Sequence, residues 1–262
     1  MIITTSGRPG KNALINLEKA KAHFPDAIYA VRNKKSIRHL IDQFHSTILV
    51  AGENRFELFS RDSDEPFFYH PNSASFRIKR LIKGEQDPLV SAAGLLPSDR
   101  FLDCTAGIAS DALVVSWYCT HSVTAVERSK EVAFITGEGL KSFQHNNASI
   151  TAAMRKINLI HCDAYDFLKK CTEDEYDVIY FDPMFSKTIQ SEGISGLKQI
   201  AEYEDEYLLE AVREAKRVAR RRIVFKDHFR SKRFIELGFE QIVRPSTKQH
   251  YGVISLEKTS LN

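Results

Sequence analysis

Four carboxylates follow four successive apolar runs: Asp103 ends "RFLD", Glu127 ends "VTAVE", Asp163 follows "NLIHC" and Asp182 follows "DVIYF". An ionised carboxylate only accepts hydrogen bonds, so such a row suits a ligand rich in hydroxyl and amine donors. Glu127, at the end of the second run, is placed to accept both ribose hydroxyls of a nucleoside. Asp163, with the backbone of Ala164, can read an adenine edge: carboxylate to exocyclic amine, amide N–H to ring nitrogen. The fourth run stops at Asp182-Pro183-Met184-Phe185. Pro183 fixes its own φ and biases Asp182 toward extended backbone. Asp182 and the Pro183 carbonyl can accept N–H bonds from a planar, amine-bearing ring, and Phe185 can cover its face. The residue types point to transfer of a group from a nucleotide-like cofactor to such a ring.

These residues need strand ends to hold them. From about residue 100, short apolar runs at 100–103, 122–126, 158–161, 177–181, 222–226, 239–243 and 251–256 read as strands. Helical patterns lie near 110–118, 129–145, 164–171, 203–219 and 230–237. The alternation predicts an α/β fold, a doubly wound, mostly parallel seven-stranded sheet with one antiparallel strand near its edge. Ligands of such sheets bind outside the carboxyl ends of the strands, where strand order reverses. Residues 186–199, with Gly193 and Gly196 and little apolar periodicity, read as a mobile loop over the site.

The first 75 residues read as a separate small α/β domain, with 76–262 as the main one. "KNALINLEKAKAHF" is an amphipathic helix. "AIYAV" and "STILVAG" are strands around a basic helix, "NKKSIRHLIDQF". "RFELFS" and "PFFYH" form a small meander, and the helical stretch "SFRIKRLIKGEQDPLVSAAGL" leads on.

Composition excludes several classes. A chain of 262 residues with net charge +3 is no general polyanion binder, so nucleic-acid contact must come from local patches. "MIITTSGRPG" lacks the basic start and apolar core of a signal peptide, and no apolar run spans a bilayer. The expectation is a cytoplasmic protein with no membrane contact. The four cysteines, Cys104, Cys119, Cys162 and Cys171, include no C-x-x-C pair, so reduced thiols and no metal site are expected. Cys104 reads as a small filler, and His161 and Cys162 as packing residues.

The turn Thr105-Ala106-Gly107-Ile108-Ala109-Ser110-Asp111 can bring backbone N–H groups close to a ligand through its small residues. Asp111 can cap the following helix or meet the ligand's amino group. The turn lacks G-x-G-x-x-G, which counts against a pyrophosphate on the helix N-terminus and against an NAD-dependent oxidoreductase. S-adenosylmethionine (SAM) carries no phosphate and is cationic, which suits the carboxylates.

"FLDCTAGIASDA", "VTAVERS", "HCDAYDFL" and "IYFDPMF" resemble the successive motifs of class I methyltransferases. They are most similar to the bacterial small-subunit rRNA guanine-N2 methyltransferase J family and its uncharacterised Gram-positive relatives. The likeness runs from about residue 76 to 257, and "TTSGRP" and "FFYHP" resemble the Gram-positive relatives. It implies a SAM-dependent enzyme of rRNA processing that methylates a guanine exocyclic amine, with Asp182, Pro183 and Phe185 at the reacting centre. It also implies cofactor contacts from Ser110, Asp111, Glu127, Arg128, Asp163, Ala164 and Asp182, to which the turn adds Asp103, Thr105, Ala106 and Gly107. Ala109 stands where the family has glycine and Ser110 where it has arginine. Met184 leaves no cysteine nucleophile for cytosine-C5 chemistry.

Basic clusters can hold RNA: Arg32, Lys34, Lys35 and Arg38; Arg77, Lys79, Arg80 and Lys83; Lys226, His228, Arg230, Lys232 and Arg233. Candidate substrate contacts are Arg77, Arg80, Lys187, Lys226, His228 and His250. The rival readings are a methyltransferase for a small molecule or protein, and a non-catalytic RNA-binding module on the same fold.

Overall fold

The computed structural model describes residues 1–61, 65–183 and 195–256. In chain order the elements are β1 (Ile2–Thr5), α1 (Lys11–His23), β2 (Ile28–Tyr29), α2 (Ile37–Phe44), β3 (Ile48–Ala51), β4 (Phe56–Phe59), α3 (Asn72–Ile82) and α4 (Pro88–Ala93). There follow β5 (Phe101–Asp103), α5 (Ser110–Tyr118), β6 (Val123–Glu127), α6 (Lys130–Ser142), α7 (Ala148–Arg155), β7 (Ile157–His161) and α8 (Ala164–Leu168). The chain continues with β8 (Tyr176–Phe181), α9 (Ser195–Val218), β9 (Ala219–His228), α10 (Arg233–Glu236), β10 (Glu240–Ile242) and β11 (Gln249–Ser255). They gather into two compact units, Met1–His70 with Lys130–Phe143, and Pro71–Ser129 with Gln144–Asn262.

The first unit holds a sheet of order β2-β1-β3-β4. β1 runs parallel to β2 and β3, and β4 closes a hairpin on β3. The inner strands "IITT" and "ILVA" are buried throughout, as strands covered on both faces are. "PFFYH" contributes only a bridge, Phe67 to Leu58, in place of a full meander strand. α6 belongs to this unit: its Phe134 ring packs edge-on to Phe24 at 5.1 Å and Phe56 at 4.8 Å.

The second unit holds the seven-stranded sheet, in order β10-β11-β9-β8-β5-β6-β7. The pairs from β7 to β9 are all parallel, and β11 is antiparallel to both of its neighbours, β9 and β10. β8 is buried over all six residues; its apolar run is interrupted by Asp177, which accepts the Arg100 N–H at 2.8 Å. The chain leaves β5 for β6 and β7 on one side, then returns to β8 on the other. The reversal of strand order therefore falls between β5 and β8. Register sets Asp103 opposite Tyr180 on β8 and Glu127 opposite His161 on β7. The carboxyl edge thus presents Asp163, Glu127, Asp103 and Asp182 in spatial order, with Lys226 next on β9.

α9 starts at Ser195, so the tail of the loop expected at 186–199 is helix, and the rest lies outside the described residues. The described residues contain no helix long and apolar enough to cross a membrane.

Candidate active site

The turn after β5 is built by short-range hydrogen bonds. Asp103, 1% exposed, accepts the Thr105 N–H at 2.9 Å. The Thr105 hydroxyl accepts the Asp182 N–H at 2.6 Å, which ties the end of β5 to the end of β8. Glu127 ties the other side: its Oε2 accepts the Gly107 N–H at 2.9 Å and its Oε1 the Ser129 N–H at 2.8 Å. Each oxygen keeps lone-pair capacity for a hydroxyl donor. Gly107 has φ of +51°, and a Cβ added there would meet nothing within 4 Å. The turn therefore offers a bare, left-handed cradle beside a half-buried carboxylate. Ala106 is buried, with its N–H on the Val126 carbonyl at 2.9 Å. Asp163 caps α8 through the N–H groups of Tyr165 at 2.9 Å and Asp166 at 3.3 Å. Its neighbour Ala164 is half-buried, and Arg128 is exposed.

Beneath this edge lies an ionic network. Arg77 on α3 grips Asp87 through two bonds, at 2.7 and 2.8 Å, and also donates to Asp111. Asp111, in the first turn of α5 beside Ser110, further accepts from Tyr180 Oη at 3.0 Å and Lys226 Nζ at 3.3 Å. Lys226 completes the chain by donating to Asp182 Oδ2 at 2.6 Å. Burial pushes Asp111 up, but Arg77 and then Lys226 outweigh it and hold the carboxyl below its usual range. Burial raises Asp182 and Asp163, with Lys226 only partly offsetting the effect at Asp182. Burial, reinforced by Asp111, Asp182 and Glu127, pushes Asp103 up to about 8.

The structure redistributes the basic residues expected to meet substrate. The Arg77 and Lys226 side chains are committed to these carboxylates. Arg80 pairs with Glu85 at 2.6 Å on the surface. His228 is exposed, and its Nδ1 accepts the Arg230 N–H at 3.3 Å. His250 is 6% exposed, with Nδ1 on Gln241 at 2.9 Å and Nε2 on the Arg244 carbonyl at 3.2 Å, so it clamps β11 to the preceding loop. Pro183 is half-buried beside Asp182. Phe185, Met184 and Lys187 lie outside the described residues. Sequence reasoning missed Asp87, Tyr180 and Asp227, because nothing local marks a lone polar residue as part of a long-range network. Asp227, 5% exposed, follows Lys226; one oxygen takes the His228 N–H at 2.6 Å, and the other has no hydrogen-bond partner among the described residues. The described residues contain no cluster of metal-ligating side chains.

A family model described as "Putative SAM-dependent methyltransferase" matches residues 31–236. The chain belongs to the SAM-dependent methyltransferase family. Among relatives of this methyltransferase, YpiP of Bacillus subtilis (strain 168) is 39% identical over 97% of this chain and 98% of that protein. The ribosomal RNA small subunit methyltransferase J of Acinetobacter baylyi is 36% identical over 44% of this chain and 42% of that protein. That of Laribacter hongkongensis is 36% identical over 41% and 38%. The alignments thus span less than half of either methyltransferase J protein. In fold, the methyltransferase resembles NGO1261 of Neisseria gonorrhoeae, a SAM-dependent methyltransferase, with TM-score 0.66 and 14% identity over 97% and 96% of the two chains. Its cofactor is S-adenosylmethionine. The donor set fits that cofactor: acceptor carboxylates and a bare glycine turn suit a cationic, hydroxyl-bearing ligand without phosphate.

Proposed function

We propose that this methyltransferase modifies an exocyclic amine of a guanine in ribosomal RNA. The observation that carries this reading is the end of β8, where Asp182 leaves a fully buried strand into Pro183-Met184-Phe185 and points one oxygen at Lys226. The partial likeness to two methyltransferase J proteins supports RNA as the substrate. Glu127 would hold the ribose hydroxyls, Asp163 and Ala164 the adenine, and the Thr105–Gly107 turn, Ser110 and Asp111 the amino-acid end. S-adenosylmethionine supplies a methyl group on a positively charged sulfur, open to in-line displacement. An exocyclic amine is a weak nucleophile because its lone pair is delocalised into the ring. Asp182 and the Pro183 carbonyl would accept its N–H bonds and set its direction, and Phe185 would stack on the base. Such alignment contributes roughly 7–11 kcal/mol in favourable cases. A paired base would first be flipped out.

Mass spectrometry of rRNA nucleosides from a deletion strain, set beside its parent, tests this. One N2-methylguanosine should be missing and should return on complementation with the wild-type gene. Complementation with Asp182→Ala should leave it missing, because losing one preorganised polar group at a reacting centre costs roughly 100- to 1,000-fold in turnover. An unchanged nucleoside profile in the deletion strain would overturn the reading.

A further inference from the structure

β1 and β2 are parallel neighbours, so the connections after them leave from strands about 5 Å apart, on the same edge of the sheet. The first carries Arg8 and leads into Lys11, the opening residue of α1. The second, between β2 and α2, carries Arg32, Lys34 and Lys35. One carboxylate stands close by: Glu53, just after β3, accepts the Gly10 N–H. Among the described residues, none of the five cations has a carboxylate partner. Lys35 donates to Gln43 at 2.9 Å, and Arg32 Nε to the Lys35 carbonyl at 3.1 Å. Neighbouring bases behave as an ordinary solvated surface does, Arg38 pairing with Asp42 at 3.4 Å and Arg55 with Glu57 at 2.5 Å.

The backbone makes the same point independently. Asn33 and Lys34 both have positive φ, 42° and 62°, and the Lys35 N–H closes the turn on the Arg32 carbonyl at 2.8 Å. Two consecutive left-handed residues suit Asn-Gly. A side chain at the second position is strained, yet this chain places an exposed lysine there. Neither α1 nor α2 has an acid in its first turn, so their positive ends add to the same potential. Five cations on two connections that leave adjacent strands, none with a carboxylate partner among the described residues, suit a polyanion whose charges repeat along a chain.

We infer that this edge of the amino-terminal sheet, carrying Arg8, Lys11, Arg32, Lys34 and Lys35, binds the phosphodiester backbone of RNA. The choice of RNA as the polyanion rests on the reading above. The test uses the full-length protein, fluorescence anisotropy with a labelled single-stranded RNA over a salt series, and calorimetry of S-adenosylmethionine binding. The triple variant R32A/K34A/K35A should bind RNA at least roughly 10-fold more weakly. Its log–log salt slope should be shallower by about 2, since each phosphate contact on a single strand contributes about 0.7. Cofactor affinity should not change. Lys34→Gly separates charge from backbone: it should raise the melting temperature while weakening RNA binding. A triple variant with wild-type affinity and slope overturns the inference, and so does a Lys34→Gly variant that binds RNA as wild type does. Preferential binding of wild type to anionic phospholipid vesicles over RNA overturns it as well. The two readings fail separately. RNA binding lost in the variants, with no methyl mark missing in the deletion strain, sinks the rRNA-methylation proposal alone. A missing mark together with unchanged binding by the variants sinks the surface alone.

Discussion

Arg77 uses both ends of its guanidinium, a two-pronged grip on Asp87 and a third bond to Asp111. Asp87 is 2% exposed at its side chain and also caps α4, so this arginine neutralises acids that cannot reach water. Removing one partner of a buried ion pair costs about 3–5 kcal/mol, mostly from the charge left behind. Arg77→Ala should therefore lower the melting temperature on the order of 10 °C, and the folded fraction should keep wild-type RNA affinity. Lost RNA binding with an unchanged melting temperature would return Arg77 to the substrate side. Asp103 makes a different demand. Burial raises its carboxyl to about 8, so the folded chain keeps a proton that the unfolded chain releases near pH 4. Below about pH 4 both states are protonated and the group contributes no penalty. Between about pH 4 and 8 stability drains, on the order of 5 kcal/mol in total, and above 8 it levels off. Asp103→Asn keeps an acceptor for the Thr105 N–H and removes the titration. Urea unfolding across pH should show the variant matching wild type at about pH 4 and exceeding it at about pH 8. Parallel curves for the two proteins would show that Asp103 does not titrate in that window.

At the scale of elements, the turn between β5 and α5 carries a small strain. Ala109 sits at φ +58°, 1% exposed, as the cap residue of α5, with its N–H on the Ala106 carbonyl at 2.6 Å. A left-handed alanine costs roughly 1–2 kcal/mol, and glycine's added chain entropy returns roughly 0.5–1. Ala109→Gly should stabilise the protein by about 0.5–1 kcal/mol in urea unfolding and leave cofactor affinity unchanged. A destabilisation of about 1 kcal/mol would mean that the lost Cβ packing outweighs the relieved strain. This turn also marks how far sequence reasoning reached. Unbroken apolar runs such as "VIYF" give the strands of the second unit, because burial on both faces removes any alternation. The acids at their ends are equally legible, since parallel strands must bring them to one edge. β1 escaped notice because "IITT" is short and ends in two threonines that are 0% and 5% exposed. α7 was missed because its eight residues offer barely two turns of periodicity. The Arg77–Asp111–Lys226–Asp182 network was illegible for another reason: the sequence marks each residue as a candidate contact to cofactor or substrate, but they come from four distant segments and nothing local shows that they pair with one another.

At the scale of the whole molecule, the first unit is not one stretch of chain. It takes in α6 from the middle of the methyltransferase sequence, and a cut at residue 75 would also fall inside α3. α6 buries Ala133, Phe134, Ile135, Thr136 and Leu140. Phe134 lies against His23 at 4.7 Å as well as Phe24 and Phe56, all from the first 70 residues. Burying a large apolar side chain stabilises by roughly 1.5–3 kcal/mol, so the exposed face of α6 would forfeit several such contributions at once. A fragment spanning 71–262 should therefore bind a hydrophobic dye, aggregate and melt below the full-length protein, although it keeps all seven strands of the larger sheet. Replacing Phe134, Ile135 and Leu140 with polar residues in that fragment should restore solubility and leave S-adenosylmethionine binding intact, because Glu127 and the turn after β5 belong to the other unit. The measurement that decides is a thermal melt of the fragment beside the full-length protein, with dye binding followed in both. A fragment that melts cooperatively at the full-length temperature without taking up dye would show that α6 finds cover without the amino-terminal sheet, and the first 70 residues would then be separable from the rest of the chain.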